Sequence, residues 1–412
     1  MADVRPFRGY RPPAALAAKV AGPPYDVLNS AEARRMAEGN PYTFLHVCKP
    51  EIDLPQGVDL YDARVYATGR ANLDRFVAEG TLVKDGRPAI YIYRQKMGDH
   101  VQTGITALAS VDEYDNDKIK KHELTRKDKE DDRTRHVDEQ NAHAEPVFLT
   151  YRARPDIDAA VARETAKPPV YDFVADDGIG HTVWVVDDPQ AVAEIQRGFA
   201  AVDVTYVADG HHRSASASRV RALRRSQNPK HDGTEPYNFF MAVFFPHDQL
   251  RIMDYNRVVL DLHGLTEEQF LARIGERFDV APAATPRPEG ARRFGMFLGG
   301  RWYRLAAKPG TFPADDPVRG LDVSILQENL LHPTLGIEDP RTDKRIDFVG
   351  GIRGVGELER RCREDAKVAF LMHPTSVEQL MAIADAGKIM PPKSTWFEPK
   401  LRSGLVVRRI ED

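Results

Sequence analysis

The stretch Tyr206-Val-Ala-Asp-Gly-His-His-Arg-Ser-Ala-Ser-Ala-Ser-Arg219 gathers more groups able to do chemistry than any other part of the sequence. Val202, Val204 and Tyr206 lead into it at a spacing of two, which predicts a β-strand. Asp209-Gly210 breaks that strand, and the residues from Ser214 to Arg225 suit a helix. A strand that turns on glycine and opens a helix offers unpaired backbone N–H groups and a partial positive charge, the makings of an anion site. His211, His212 and Arg213 add three donors at the same turn, and the Ser/Ala run behind them keeps the first helical turn narrow. Phosphate is the expected ligand. The bland alternative is a surface turn whose histidines cap a helix.

Phosphoryl transfer needs donors that cradle phosphates, a divalent metal and a base that orients the attacking hydroxyl. Gly210, His211, His212 and Arg213 supply the cradle, with Arg213 foremost because a guanidinium grips phosphate bidentately and stays charged. Glu123 or Asp209 is the candidate base, His122 stands beside the first of these, and Asp132 is the candidate metal ligand. For each acid alone the competing reading is an ordinary surface carboxylate.

Other familiar motifs fail on spacing. Gly387-Lys388-Ile389 lacks the hydroxyl and the first glycine of a Walker loop. Gly354-Val-Gly356 opens like a dinucleotide fingerprint, but Glu359 replaces the third glycine and would oppose a pyrophosphate. His122-Glu123 meets Arg126 where a paired-histidine zinc helix needs a second His. No Gly-x-Ser-x-Gly elbow supports an acyl-transfer serine. The adjacency of His211 and His212 makes joint metal ligation by that pair awkward.

The positioning elements follow from periodicity. The Pro-rich residues 1–30 predict an extended segment, followed by a helix over 31–38 capped by Asn29 or Ser30 and stopped at Gly39. Phe44 to Cys48 reads as a short buried strand, 61–79 as a helix, and 89–94 with 104–111 as paired strands. From Asp112 to His136 mixed charges run without Pro or Gly, which predicts a solvated helix. Strands at 147–151 and 181–186 alternate with helices near 156–167 and 189–199, arguing an α/β or α+β fold. Beyond a polar loop at 224–236 come strands at 239–245 and 250–260, and a Pro/Ala-rich linker or excursion at 281–290. A hairpin turned by Gly299-Gly300, helices over 321–331, 358–365 and 377–386, and strands at 348–349 and 368–372 complete a C-terminal α/β lobe.

With 42% hydrophobic and 29% charged residues among 412, the chain is expected to be globular and on the order of two to three domains. A net charge of −4 gives no nucleic-acid footprint, and no apolar run predicts a membrane span or a signal peptide. Cys48 and Cys362 are too few for a disulfide framework or a thiolate zinc site. A cytoplasmic protein is the expectation.

Pro24-Tyr-Asp-Val27, His122-Glu-Leu-Thr…Asp-Asp-Arg133, Ala208-Asp-Gly-His-His-Arg213 and Met390-Pro-Pro-Lys-Ser-Thr-Trp-Phe-Glu-Pro-Lys400 occur in that order. In these motifs the chain resembles the bacterial and archaeal domain-of-unknown-function family 1015 over nearly its whole length. That family is distantly similar to the ParB and sulfiredoxin superfamily, whose archaeal free-serine kinases phosphorylate L-serine with a glutamate base and an Asp/His/Arg turn at the phosphates. The resemblance implies a ParB/sulfiredoxin-like nucleotide-binding core within residues 1–260, with 261–412 as the C-terminal lobe. It implies a kinase using ATP or ADP with Mg²⁺ on the hydroxyl of serine or a similar amino acid. Tyr25, Asp26, Arg133, Lys393, Ser394 and Thr395 would then contact substrate, the last three closing the site from the C-terminal side. Nucleotide and amino acid are the expected partners, nucleic acid and membrane are not, and a homodimer is the assembly considered. Asn256-Arg257 departs from the His-Arg pair more usual in the family. Two rivals stand beside this reading: a non-catalytic nucleotide-sensing module, and a metal-dependent hydrolase built on His122, His136, His143 and His211 or His212.

Overall fold

Strands rich in Val, Ile and Phe, apolar on both faces, form the middle of a nine-stranded mixed sheet, as expected of strands covered on both sides. The computed structural model describes residues 1–411 and divides into two units, Met1–Leu250 with the stretch from Pro399, and Arg251–Glu398. In the first unit the strands of this sheet are β1 (Val4–Arg5), β2 (Ile90–Met97), β3 (His100–Ser110), β4 (Ile119–Lys120), β5 (Val147–Tyr151), β6 (Tyr171–Val174), β7 (Gly180–Val186), β8 (Thr205–Asp209) and β9 (Phe239–Pro246). Across the sheet they run β4-β8-β5-β9-β3-β2-β7-β6, with β1 on β3. Its longer helices are α1 (Ser30–Ala37), α2 (Ala63–Ala78), α3 (Lys127–Gln140), α4 (Pro155–Thr165), α5 (Pro189–Ala200) and α6 (His211–Gln227).

One core combines inward residues of β3, β5, β7 and β9 with Ile157 of α4, Ile195 and Phe199 of α5 and Ala217 of α6. Phe199 stands edge-on to Tyr151 at 5.0 Å and to Phe244 at 5.2 Å, an arrangement that adds to the burial of the rings. The second unit is a six-stranded sheet in the order Phe278–Pro282, Arg301–Ala307, Arg293–Leu298, Val368–Leu371, Tyr255–Val259, Ile346–Gly350. Helix Val355–Glu364 sets Leu358 against Val258, Phe297 and Ala369 there. Asn256 is wholly buried in that unit, its amide donating to Asp254 at 2.6 Å and its oxygen accepting from the Met372 N–H at 2.9 Å. No described helix is long and apolar enough to cross a membrane.

Several expected elements differ. Phe44 to Cys48 contributes a helical turn, Leu45–Cys48, packed on α2, and not a strand. An apolar run this short carries no period that separates the two. The Pro-rich start is broken by helical turns at Ala14–Leu16, Ala17–Val20 and Tyr25–Val27. Residues 281–290 join two strands inside the second unit, so they are an excursion. The charged stretch 112–136 is not one helix. It holds a turn at Val111–Asp115, strand β4 and only then α3, whose buried face carries Asp132, His136 and Gln140 at a spacing of four. Polar residues on the buried side of a helix leave no hydropathy signal to read.

Candidate functional site

Strand β8 pairs parallel with β4 and antiparallel with β5, and its register against β5 shifts between Val207 and Asp209. Such a bulge re-aims the side chains at a strand end. Gly210 follows in the left-handed region (φ 95°, ψ 31°), and α6 starts at once on His211, three residues earlier than expected. The Gly210 N–H donates to Asp209 Oδ1 at 2.7 Å, and Lys400 Nζ donates to Asp209 Oδ2 at 2.8 Å. Burial works to raise the Asp209 carboxyl, but the ammonium of Lys400 and the guanidinium of Arg213 outweigh it and hold the group well below the usual carboxylate range. An acid so stabilised as its anion is a weak base, so Asp209 serves better to fix the turn than to take a proton.

Arg213 is tied back on both terminal nitrogens. Nη1 donates to the Pro146 carbonyl at 2.5 Å and Nη2 to Asp26 Oδ2 at 3.3 Å. Asp26 lies in the turn that follows Pro23-Pro24, so Arg213 anchors the N-terminal segment to α6. The Tyr25 N–H donates to Glu145 Oε1 at 3.0 Å, and the Ser403 hydroxyl donates to the same oxygen at 2.9 Å. Arg133 lies over the Tyr25 ring at 4.1 Å. Burial pushes the Glu145 carboxyl up even though Arg213 and Arg133 pull it down, and burial likewise raises the Tyr25 hydroxyl. Behind this network lies a small cavity of about 40 Å³ lined by Arg133, His136, Glu145, Arg213, Cys48 and Phe240 among others. That volume accommodates water, not a nucleotide.

Because β4 and β8 run parallel with Ile119 opposite Thr205, the chain leaves both at the same end of the sheet. His122 and His211, each two residues beyond its strand, therefore meet. Their Nε2 atoms lie 3.4 Å apart, with ring planes at 84°. Both are buried, at 1% and 6% exposure. Burial drives His122 down to about 4 and His211 well below its ordinary value, so both rings are neutral near pH 7. Glu123 is half-buried beside them. One ligand atom from each of His122, Glu123 and His211 fits within 4.8 Å of the others. His212 is employed differently: its Nε2 accepts the Arg126 N–H at 3.1 Å, satisfying the residue that precedes α3. This histidine therefore ties α6 to the residue before α3 and caps neither helix.

Asp132, expected to hold metal, lies outside that cluster. Its Oδ1 accepts from the Tyr66 hydroxyl at 3.0 Å and its Oδ2 from Arg133 at 2.6 and 2.8 Å. A carboxylate whose two oxygens are both engaged by a phenol and a guanidinium has little left for a cation. Lys393, Ser394 and Thr395 belong to the second unit. There the Lys393 carbonyl accepts from Arg257 at 3.0 Å and the Ser394 hydroxyl donates to the Pro391 carbonyl at 2.6 Å. The residues that sequence reasoning missed are Lys400, Glu145, Ser403 and the Pro146 carbonyl. Lys400 closes the Met390–Lys400 motif and so had a signal; a backbone carbonyl has none.

The first unit is thus a mixed α/β fold carrying a strand–glycine–helix turn flanked by buried basic and imidazole groups. The chain belongs to the family described as protein of unknown function DUF1015, which matches residues 4–324. No curated protein shows significant similarity to it. Among solved structures, a free serine kinase in complex with AMP is similar at 12% identity over 73% of this chain and 91% of that one, with a TM-score of 0.36. A conserved hypothetical protein from Pyrococcus furiosus is similar at 13% identity over 74% and 96%, with a TM-score of 0.36. SbnI with a C-terminal truncation, from Staphylococcus aureus, is similar at 12% identity over 74% and 87%, with a TM-score of 0.37.

Proposed function

We propose that this protein is a nucleotide-dependent phosphotransferase acting on the hydroxyl of a small amino acid, with free L-serine the leading acceptor. The observation that carries the reading is the left-handed Gly210 opening a 17-residue helix, with Arg213 and Lys400 behind it. Gly210 lacks the side chain that would stand between the backbone donors and a phosphate, and the helix start favours the anion. Gly210, His211 and the fixed guanidinium of Arg213 would hold phosphates of ATP or ADP. Glu123, half-buried at the same end of the sheet, would orient the acceptor hydroxyl. Asp209, ionised and bound by Lys400, would keep the turn in shape. Mg²⁺ favours oxygen donors, and with both oxygens of Asp132 and of Asp209 engaged elsewhere it would come mainly on the nucleotide's own phosphates. A ParB/sulfiredoxin-like core is part of this proposal.

The test is purified full-length protein with L-serine, Mg²⁺ and either nucleotide, read by phosphorus NMR. Phosphoserine is the expected product, and its absence with both donors sinks the acceptor assignment. Nucleotide binding without turnover of any small hydroxyl compound would instead favour a nucleotide-sensing module.

A hydrolase reading has one observation in its favour, the His122–Glu123–His211 cluster. The other histidines lie outside that cluster: His143 sits 3.1 Å from Arg408 Nη1, and His136 lies beside Asp132.

A further inference from the structure

We infer that His122, Glu123 and His211 form a binding site for a zinc-like divalent ion, with two imidazole nitrogens, one carboxylate and an open fourth position. Among the described residues, this is the one group of three such side chains whose ligand atoms lie within 4.8 Å of one another. The separation of the two nitrogens points to the type of ion. Metal–nitrogen bonds of about 2.0–2.1 Å at a tetrahedral angle place two ligand nitrogens roughly 3.3–3.4 Å apart. The observed Nε2–Nε2 distance is 3.4 Å. An octahedral Mg²⁺ site would set neighbouring ligands about 3.0 Å apart and would favour oxygen over nitrogen. As a hydrogen bond between the rings, 3.4 Å is long, since N–H donors usually approach acceptors to about 2.7–3.2 Å.

The scaffold fixes the pair firmly. Each histidine follows one of two parallel neighbouring strands, and the left-handed Gly210 sets the direction from which His211 enters. The His211 Nδ1 makes no hydrogen bond to another group, although its ring is at least nine-tenths buried. The two buried rings stand edge to face with centroids 4.5 Å apart, and an ion held at the edge where their Nε2 atoms come within 3.4 Å would be shared by both nitrogens. Two histidines with one glutamate are a known three-ligand zinc set whose fourth position takes water or a substrate oxygen. Here that position would open beside the Asp209–Gly210 turn. The inference shares His211 and Glu123 with the phosphotransfer reading but concerns a different ion, one held by nitrogen and not the Mg²⁺ that accompanies a nucleotide; with that ion bound, Gly210 and Arg213 would be left to hold the phosphates.

The experiment uses the full chain without a histidine tag, stripped with chelator, dialysed against micromolar Zn²⁺ and measured by elemental analysis. One zinc per chain is expected. His122→Asn and His211→Gln should each weaken retention by about 100-fold or more, since even the loss of an outer partner costs about 10–100-fold. His231→Asn, in a distant loop, should retain zinc fully. Cobalt added to the stripped wild-type protein should give the intense visible bands of four-coordination, a reading that needs no variant to fold. Absence of zinc, zinc unchanged in both histidine variants, or a weak six-coordinate cobalt spectrum would each overturn the site. Phosphoserine formation is assayed on the stripped and the loaded protein in parallel, so failure of the zinc site and failure of the kinase reading are separate results. In Glu123→Gln, a drop in zinc retention marks the carboxylate as a ligand, and full retention removes it from the set.

Discussion

Replacing Lys400 with methionine removes the cation that stands 2.8 Å from Asp209 while keeping much of the side-chain volume. The lysine side chain is 19% exposed and that of the aspartate 28%, so the pair lies between a surface bridge and a buried one. Exposed pairs contribute up to about 1 kcal/mol, and breaking a fully buried pair costs about 3–5 kcal/mol, so Lys400→Met should destabilise the turn by about 1–3 kcal/mol. At about 1.4 kcal/mol per tenfold, amide exchange across residues 205–214 should accelerate roughly 5- to 150-fold. The pH dependence has a definite sign. In the wild type the Asp209 carboxyl is held below its ordinary value near 3.8, so its contribution is present above that value and is lost as the pH falls through the lower folded value. Without Lys400, burial is opposed only by Arg213 and the Gly210 N–H and the group moves up from its wild-type position, so the deficit of the variant should be largest at pH 7 and shrink as acid protonates the carboxyl. Asp209→Asn alone and the double variant complete a cycle read by hydrogen exchange at both pH values. A double variant additive to within about 0.5 kcal/mol, or a deficit independent of pH, would refute the reasoning.

Gly210→Ala puts a side chain at φ 95°, where its Cβ would stand 3.3 Å from Arg213 Nε. A residue with a Cβ costs about 1–2 kcal/mol in the left-handed region, and Asn is tolerated better there, so Gly210→Asn should be milder by urea unfolding. Equal losses in the two variants would show that backbone strain is not the cause. His181 is fully buried, its Nδ1 2.7 Å from the Tyr93 hydroxyl, and burial with Arg402 beside it lowers it to about 3. Between that value and 6.5 the unfolded chain binds the proton first, so acid weakens the fold by about 2–3 kcal/mol at pH 4.5. His181→Gln should flatten the change in urea midpoint between pH 7 and 4.5; an unchanged slope would exonerate the histidine.

The fold was most legible where burial obeys a simple period. Strands β2, β3, β5, β7 and β9 and helices α2, α4 and α5 fall close to where their apolar spacing places them, because each hides one face or a whole apolar run. The turn was legible for a different reason. Gly210 is one of few residue types that can take φ 95°, and its strand and helix show on either side. What escaped notice is structure made of polar burial. Helix α3 turns Asp132, His136 and Gln140 inward, and Leu45–Cys48 is too short to carry a period. The pairing of β4 with β8 was also invisible, since two residues of strand have no pattern, and yet that pairing is what brings His122 to His211.

Counting donors along the sequence also overstates how positive the turn is. In the fold Arg213 meets Asp26, Arg133 meets Asp132, and Lys400 meets Asp209, so each cation already faces a carboxylate. A phosphate could not simply dock onto free charge; it would have to exchange with one of these acids. The three pairs differ in how readily they could yield. Arg133 holds Asp132 through two nitrogens at 2.6 and 2.8 Å, and Lys400 holds Asp209 at 2.8 Å. Arg213 reaches Asp26 by a single contact at 3.3 Å, and Asp26 is the most exposed of the three acids. Arg213 also keeps its bond to the Pro146 carbonyl at 2.5 Å, so the guanidinium would stay in place if Asp26 left. On the proposed function, the exchange of Asp26 for phosphate at Arg213 is therefore the least costly of the three. That assigns Pro23-Pro24-Tyr25-Asp26 a physical part in the site: a stiff segment holding one carboxylate where the ligand's charge would come to rest.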